Sequence, residues 1–261
     1  LKTMTTNEPQ ALSRKRVISL DLTTNTYDNV QEEILHRARN GMHGMICFAN
    51  AHMAIEAQQK PAVAQAMSKA DWIVTDGVPL IWALKSLYSI QQERIAGMDM
   101  MPSLLGQAAK ENIPVFLFGS TPDMLARFVA VCEERFPELT IAGVVSPPFR
   151  PATEEEDEQI ARQIKDSGAR LVFVALGCPK QELWMARMRE RIPAVLLGIG
   201  GALPLLVGET KRAPLWIRQM GMEWMFRLMQ EPQRLLKRYL TTNSQYIWYL
   251  SRQFLAKKRN E

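Results

Sequence analysis

Cysteine is scarce in this chain of 261 residues: Cys47, Cys132 and Cys178 are far apart, form no C-x-x-C pair and leave an odd thiol. Such a set staples no small secreted scaffold and suits a reducing compartment. Long apolar runs are missing as well, since no stretch of spanning length is free of charges. Residues 1–16 are polar and mixed, without the apolar core of a signal peptide. The chain therefore reads as neither exported nor integral to a membrane. His36, His43 and His52 fall in or beside one helix-rich stretch without partner ligands, and no His/Cys/Asp/Glu cluster has zinc spacing. Asp-x-Asp, the Walker loop and the Gly-x-Ser-x-Gly elbow are absent too. Chemistry without a metal or a cofactor is the simpler expectation.

Apolar residues make up 47% of the chain, ample for a large core. The net charge of +5 conceals an asymmetry: residues from Lys211 onward sum to +8 and the first 210 to −3. A near-neutral body with a basic tail implies an anionic partner surface, and phospholipid and nucleic acid both qualify on charge alone.

Short β-branched runs alternate with amphipathic stretches, the pattern of βαβ units around a mainly parallel, Rossmann-like sheet. Strands are expected at about Arg16 to Leu22, Met45 to Ala49, Trp72 to Thr75, Val115 to Phe118, Ile141 to Val145, Leu171 to Leu176 and Val195 to Ile199. Helices are expected at Asp28 to Asn40, Met53 to Ala70, Pro102 to Asn112, Pro122 to Arg135, Glu154 to Ser167 and Lys180 to Arg191. After Gly201 the alternation stops. Ala213 to Gln230 and Gln233 to Lys257 read as helices separated by Glu231-Pro232. In the second, Leu236, Leu240, Asn243, Ile247, Leu250 and Phe254 make one stripe, with Tyr239, Tyr246, Trp248 and Tyr249 along its borders. The expected organisation is a flexible segment 1–15, an α/β catalytic domain 16–207 and a basic amphipathic helical appendage 208–261.

The run Trp72-Ile73-Val74-Thr75 ends on Asp76-Gly77, and in an open α/β sheet such a strand end faces the ligand crevice. Asp76 is thus the first candidate for catalysis. Capping of the helix that starts near Val78 is the competing reading. Asn50 ends the preceding strand at the same sheet edge, with a helix cap as its alternative. Leu176 runs into Gly177-Cys178-Pro179-Lys180-Gln181-Glu182, a turn able to aim N–H groups at an anion, with Lys180 as a mobile cation and Gln181 as a partner for base or sugar. Gly198-Ile199-Gly200-Gly201-Ala202 has similar form, and its glycines permit close approach of a ligand. The first βα turn, Asp21 to Asn25, lacks glycine, which disfavours NAD and leaves a nucleotide diphosphate. Arg94 could clamp phosphate, although a local ion pair with Asp99 is the cheaper explanation.

In their order, Asn50, Thr75-Asp76-Gly77, Arg94 to Asp99, Leu176 to Glu182, Gly198 to Ala202 and Lys211-Arg212-Ala213-Pro214 resemble the bacterial WecG/TagA/CpsF glycosyltransferases. Gly221-Met222-Glu223-Trp224, Arg227 and Gln230-Glu231-Pro232 with Arg234 extend the likeness, which covers about Val17 to Leu240. The resemblance implies an inverting enzyme of the cytoplasmic membrane face. It would move a sugar from UDP-N-acetylmannosamine, its uronic acid or UDP-glucose to a polyprenyl-diphosphate-linked saccharide in cell-surface polysaccharide synthesis. It makes Asp76 the general base and associates Asn50, Arg94 and Gln181 with the donor or active site. The arginine-bearing tail would complete that site. Many relatives carry a threonine two residues before the asparagine matching Asn50, where this chain has Phe48.

Those roles agree with the chemistry. Gly177, Lys180, Gly200 and Gly201 would meet the departing UDP together with Arg94, and Lys211, Arg212, Arg218 and Arg227 would add appendage cations. Anionic inner-leaflet lipid is the expected partner of the tail, with a homo-oligomer seam as the alternative for part of its stripe. A nucleotide-binding module whose tail contacts nucleic acid is the competing function; an amphipathic rather than uniformly basic pattern favours lipid.

Overall fold

The computed structural model describes residues 13–214, 216–217, 220, 222–230 and 232–260; of 234, 235, 237, 238 and 260 it describes the backbone alone. Six parallel strands form the centre: β3 (Gly44–Ala49), β4 (Trp72–Thr75), β5 (Val115–Gly119), β6 (Ile141–Val145), β7 (Leu171–Ala175) and β8 (Val195–Gly198), in the order β4-β3-β8-β7-β5-β6. Helices cover both faces, so the central strands are buried on both sides and read as continuous apolar runs. Cys47, Ile73, Val172 and Leu196 pack into one face layer; Ile46, Val74, Phe173 and Leu197 pack into the other.

The strand expected over Arg16 to Leu22 is instead a hairpin. Strands β1 (Ser13–Val17) and β2 (Leu20–Thr24) pair antiparallel in a separate two-stranded sheet, with Val17 opposite Leu20. Ile18 takes a left-handed conformation (φ 57°) and reverses the chain, a role an isoleucine does not advertise in sequence.

The helices over the body are α1 (Tyr27–Arg39), α2 (Ala51–Gln59), α3 (Pro61–Ser68), α4 (Val78–Tyr88), α5 (Gly97–Lys110), α6 (Pro122–Arg135), α7 (Glu154–Asp166), α8 (Lys180–Met188) and the short α9 (Leu203–Leu206). Thr26, Thr121 and Thr153 accept from the backbone at the starts of α1, α6 and α7, and Glu156 completes a capping box with Thr153. The single helix expected over Met53 to Ala70 breaks in two. Lys60, which precedes Pro61, is extended (φ −120°, ψ 104°), as steric conflict with a following proline favours. Helix α5 starts at Gly97 rather than Pro102, its first turn already held by Asp99 and Met100 N–H groups donating to the Ala96 carbonyl.

Beyond Thr210 the chain runs through irregular 211–214 to α10 (Glu223–Gln230) and α11 (Pro232–Asn260). The helix expected over Ala213 to Gln230 is therefore not continuous, since Ala213, Pro214 and Met222 are non-helical. Helix α11 lies against α2 and α4. Tyr246 is buried and its hydroxyl donates to the Pro79 carbonyl at 2.9 Å, while Gln253 accepts from the Ile18 N–H (2.7 Å) and donates to the Arg16 carbonyl (2.8 Å). The Lys257 ammonium reaches the Leu87 carbonyl. Leu236, Leu240, Ile247 and Phe254 point away from the body, with Leu240 67% exposed. Among the described residues no helix is long and apolar enough to cross a membrane.

Candidate active site

The carboxyl ends of β4, β3, β8 and β7 open into a cavity of about 800 Å³, within the range of small-molecule sites. Phe48, Met53, Met98, Ile199 and Leu205 give it apolar walls. Asn50, Asp76, Gly177, Gln181, Gly200 and Gly201 reach it from the sheet edge, and Lys211, Arg212, Glu223, Arg227 and Gln230 from the carboxy-terminal segment.

Asp76 is placed by the sheet itself. Its N–H and that of Gly77 both donate to the Ala49 carbonyl, at 3.0 and 2.9 Å, which ties the end of β4 to the end of β3. The Asp76 side chain makes no helix cap, because the residue capping α4 is Gly77 and no side-chain bond closes that terminus. Asn50 does act as a cap: its side-chain Oδ1 accepts from the Met53 N–H at 3.1 Å while the residue lines the cavity. Burial raises the Asp76 pKa above the ordinary carboxylate value, against the opposing pull of Arg94 and Arg227.

Arg94 comes from the loop before α5, which is laid beside β4 by an Ile95 N–H bond to the Thr75 carbonyl (2.9 Å) and a Thr75 hydroxyl bond to the Glu93 carbonyl (3.1 Å). The local pair with Asp99 does not form. Arg94 Nε donates to the Asp76 carbonyl at 2.7 Å, Nη2 to Asp76 Oδ1 at 3.0 Å, and Nη1 to Glu223 Oε2. Asp99 instead receives the guanidinium of Arg212. A separation of five residues made the local pair look simplest; the partners that form are Asp76 at the end of β4 and, from the returning tail, Glu223.

Gln181 is 4% exposed and works as an internal clamp between the two glycine turns. Its Oε1 accepts from the N–H groups of Gly177 (3.1 Å) and Gly200 (3.2 Å), and its Nε2 donates to Glu182 Oε1 at 2.9 Å. Gly177 has φ +78°, a left-handed conformation that glycine adopts without strain. A Cβ on Gly200 would lie 2.8 Å from Gln181 Oε1, so the clamp requires a residue without a side chain there. Burial pushes the Glu182 carboxyl up to about 7, opposed by hydrogen bonds from Gln181 and Cys178.

Lys180 is not brought in with the others: it is exposed, and its Nζ lies 5.5 Å from the centre of the Phe149 ring. Arg227 does line the cavity and donates to the Gly201 carbonyl at 3.3 Å. Gln230 makes two bonds of 3.0 Å to the main chain of Lys211, one donated and one accepted, which pins the irregular segment against α10. Arg218 lies outside the described residues. Phe48 is buried with its ring against Gly97, so this wall of the cavity is aromatic and offers no hydroxyl. Glu182, Glu223 and Gln230 stood in the sequence only as members of the turn and tail motifs, without roles of their own. Their roles follow from burial and from the return of the tail. Among the described residues no three or more His, Cys, Asp or Glu side chains group as a metal site would.

A sheet edge with the carboxylate of Asp76, two clamped glycine turns and a cation-bearing segment folded over it agrees with a nucleotide-sugar site. The model of the glycosyl transferase WecG/TagA/CpsF family matches residues 15–260, and the chain belongs to that family.

Proposed function

We propose that the protein is an inverting glycosyltransferase in which Asp76 is the general base, moving a sugar from a UDP-sugar to a hydroxyl of a polyprenyl-diphosphate-linked saccharide. The supporting observation is the setting of Asp76: a cavity-lining carboxylate, uncommitted as a cap, whose burial favours holding a proton. In this reading the acceptor oxygen attacks the anomeric carbon from the face opposite UDP and its proton passes to Asp76. The bond from the anomeric carbon to the diphosphate breaks with its electron pair leaving on UDP. That gathering charge meets Arg227, Arg212 and Lys211, which line the cavity. Arg94 orients the base through its two bonds to Asp76.

Lipid-linked acceptors place the reaction at the cytoplasmic face of the membrane. The exposed apolar face of α11 and the cations of the tail support docking there, by insertion among anionic lipids. The test is Asp76→Asn, assayed by UDP release from UDP-N-acetylmannosamine, its uronic acid and UDP-glucose with a polyprenyl-diphosphate-linked acceptor. Turnover falls by about 10²–10⁴-fold while UDP still raises the melting temperature. Retained turnover rejects the base assignment.

A further inference from the structure

Arg94 divides one guanidinium between carboxylates that arrive from distant parts of the chain. Its Nη2 serves Asp76 and its Nη1 serves Glu223, the first residue of α10, whose side chain is only 10% exposed. Arg94 itself is 25% exposed, so this is a partly desolvated three-charge group rather than a surface pair screened by water. Four residues after Glu223, one turn along the same helix, Arg227 enters the cavity. Seating Glu223 on Arg94 therefore also sets the depth of Arg227.

We propose that Glu223 is a positioning residue that couples docking of the carboxy-terminal segment to the state of Asp76, with Arg94 as the joint between them. The proposal rests on the reading of Asp76 as base. With α10 seated, Arg94 is shared and Arg227 faces the cavity; with α10 away, Asp76 holds the whole guanidinium and the cavity loses a cation. The charged groups facing Asp76 are Arg94 from the loop before α5 and Glu223 and Arg227 from α10. Glu223 favours the protonated form of Asp76 and the two arginines oppose it, so the segment adjusts the base as well as covering it.

The experiment uses the full chain and needs no donor. Hydrogen exchange of residues 223–230 and titration of the Asp76 carboxyl by carbon NMR are followed in wild type, Glu223→Gln, Glu223→Asp and Arg94→Lys. Glutamine keeps an acceptor for Arg94 but removes the charge. Exchange of α10 accelerates about tenfold, the loss expected when a charge-assisted bond becomes a neutral one. In the same variant the Asp76 midpoint moves to lower pH, and Glu223→Asp restores it toward wild type. Arg94→Lys, with one point charge for two carboxylates, loosens α10 with Glu223 intact. An unchanged Asp76 midpoint in Glu223→Gln, or unchanged exchange in both Glu223→Gln and Arg94→Lys, overturns the coupling. If Asp76→Asn is inactive yet these readouts do not move, the coupling alone fails. If Asp76→Asn stays active while they move, the base assignment alone fails.

Discussion

Glu182 has no exposed surface, and the hydrogen bond it takes from Gln181 is the same amide's link to the two glycine turns. A carboxyl group moved from 4.5 to about 7 by burial binds its proton more tightly folded than unfolded. Stability it confers is full below about pH 4.5 and is lost as pH rises through about 7, by about 3 kcal/mol in all. The melting temperature of wild type therefore falls by roughly 10 °C between about pH 5 and about pH 9, and Glu182→Gln removes most of that slope. Parallel pH profiles for the two proteins contradict this. At this scale Asp76 was legible because a strand followed by an acid and a glycine places its carboxylate at a sheet edge from local pattern alone. Gln181 was legible as a polar group at the site but not as a clamp, since its partners Gly177 and Gly200 lie on different strands' turns. Arg94 was visible as a cation, and its partners were not, because Glu223 lies 129 residues away.

Elements built on strong period were legible almost to the residue. The strands Trp72–Thr75 and Ile141–Val145 and the helix Pro122–Arg135 occupy the expected spans. What escaped were breaks written in backbone conformation, at Ile18 and at Lys60 before Pro61, where side-chain pattern runs on across the interruption. The apolar stripe of α11 was also readable. The structure adds that Tyr246, at its border, faces inward and that Leu250 is half-buried, leaving Leu236, Leu240, Ile247 and Phe254 outward with Trp248 and Leu255. Combining Leu236→Ser, Leu240→Ser and Ile247→Ser removes side chains worth about 1.5–3 kcal/mol each when buried. Binding to anionic vesicles in a flotation assay drops at least roughly tenfold, with the melting temperature held within about 2 °C. Undiminished flotation would mean that another surface carries the contact.

Taken as a whole molecule, the protein sets a body of net charge −3 beside a tail of +8. A charge separation of this kind gives the chain a preferred orientation over an anionic plane before any contact forms. Vesicle binding consequently weakens steeply as salt is raised with anionic lipid, and is weak and nearly salt-independent on zwitterionic vesicles. Equal affinity for both compositions would leave the apolar face as the sole determinant. The six-stranded architecture follows from the βαβ alternation, and the family membership agrees with the ordered motifs along the chain. The return of the tail over the sheet edge could not be read from pattern, because it depends on contacts such as Tyr246 with Pro79 that span 167 residues.

The seam that holds α11 to the body has an evolutionary asymmetry. Tyr246, Gln253 and Lys257 bond to main-chain groups: carbonyls at Pro79, Arg16 and Leu87, which every residue type offers, and the N–H of Ile18, which every type but proline offers. Substitutions on the body side can accumulate without erasing these attachments, while three positions of the helix remain under constraint. A lineage is thus free to remodel the outer surfaces of α4 and the β1–β2 hairpin, and the tail will still find its seat.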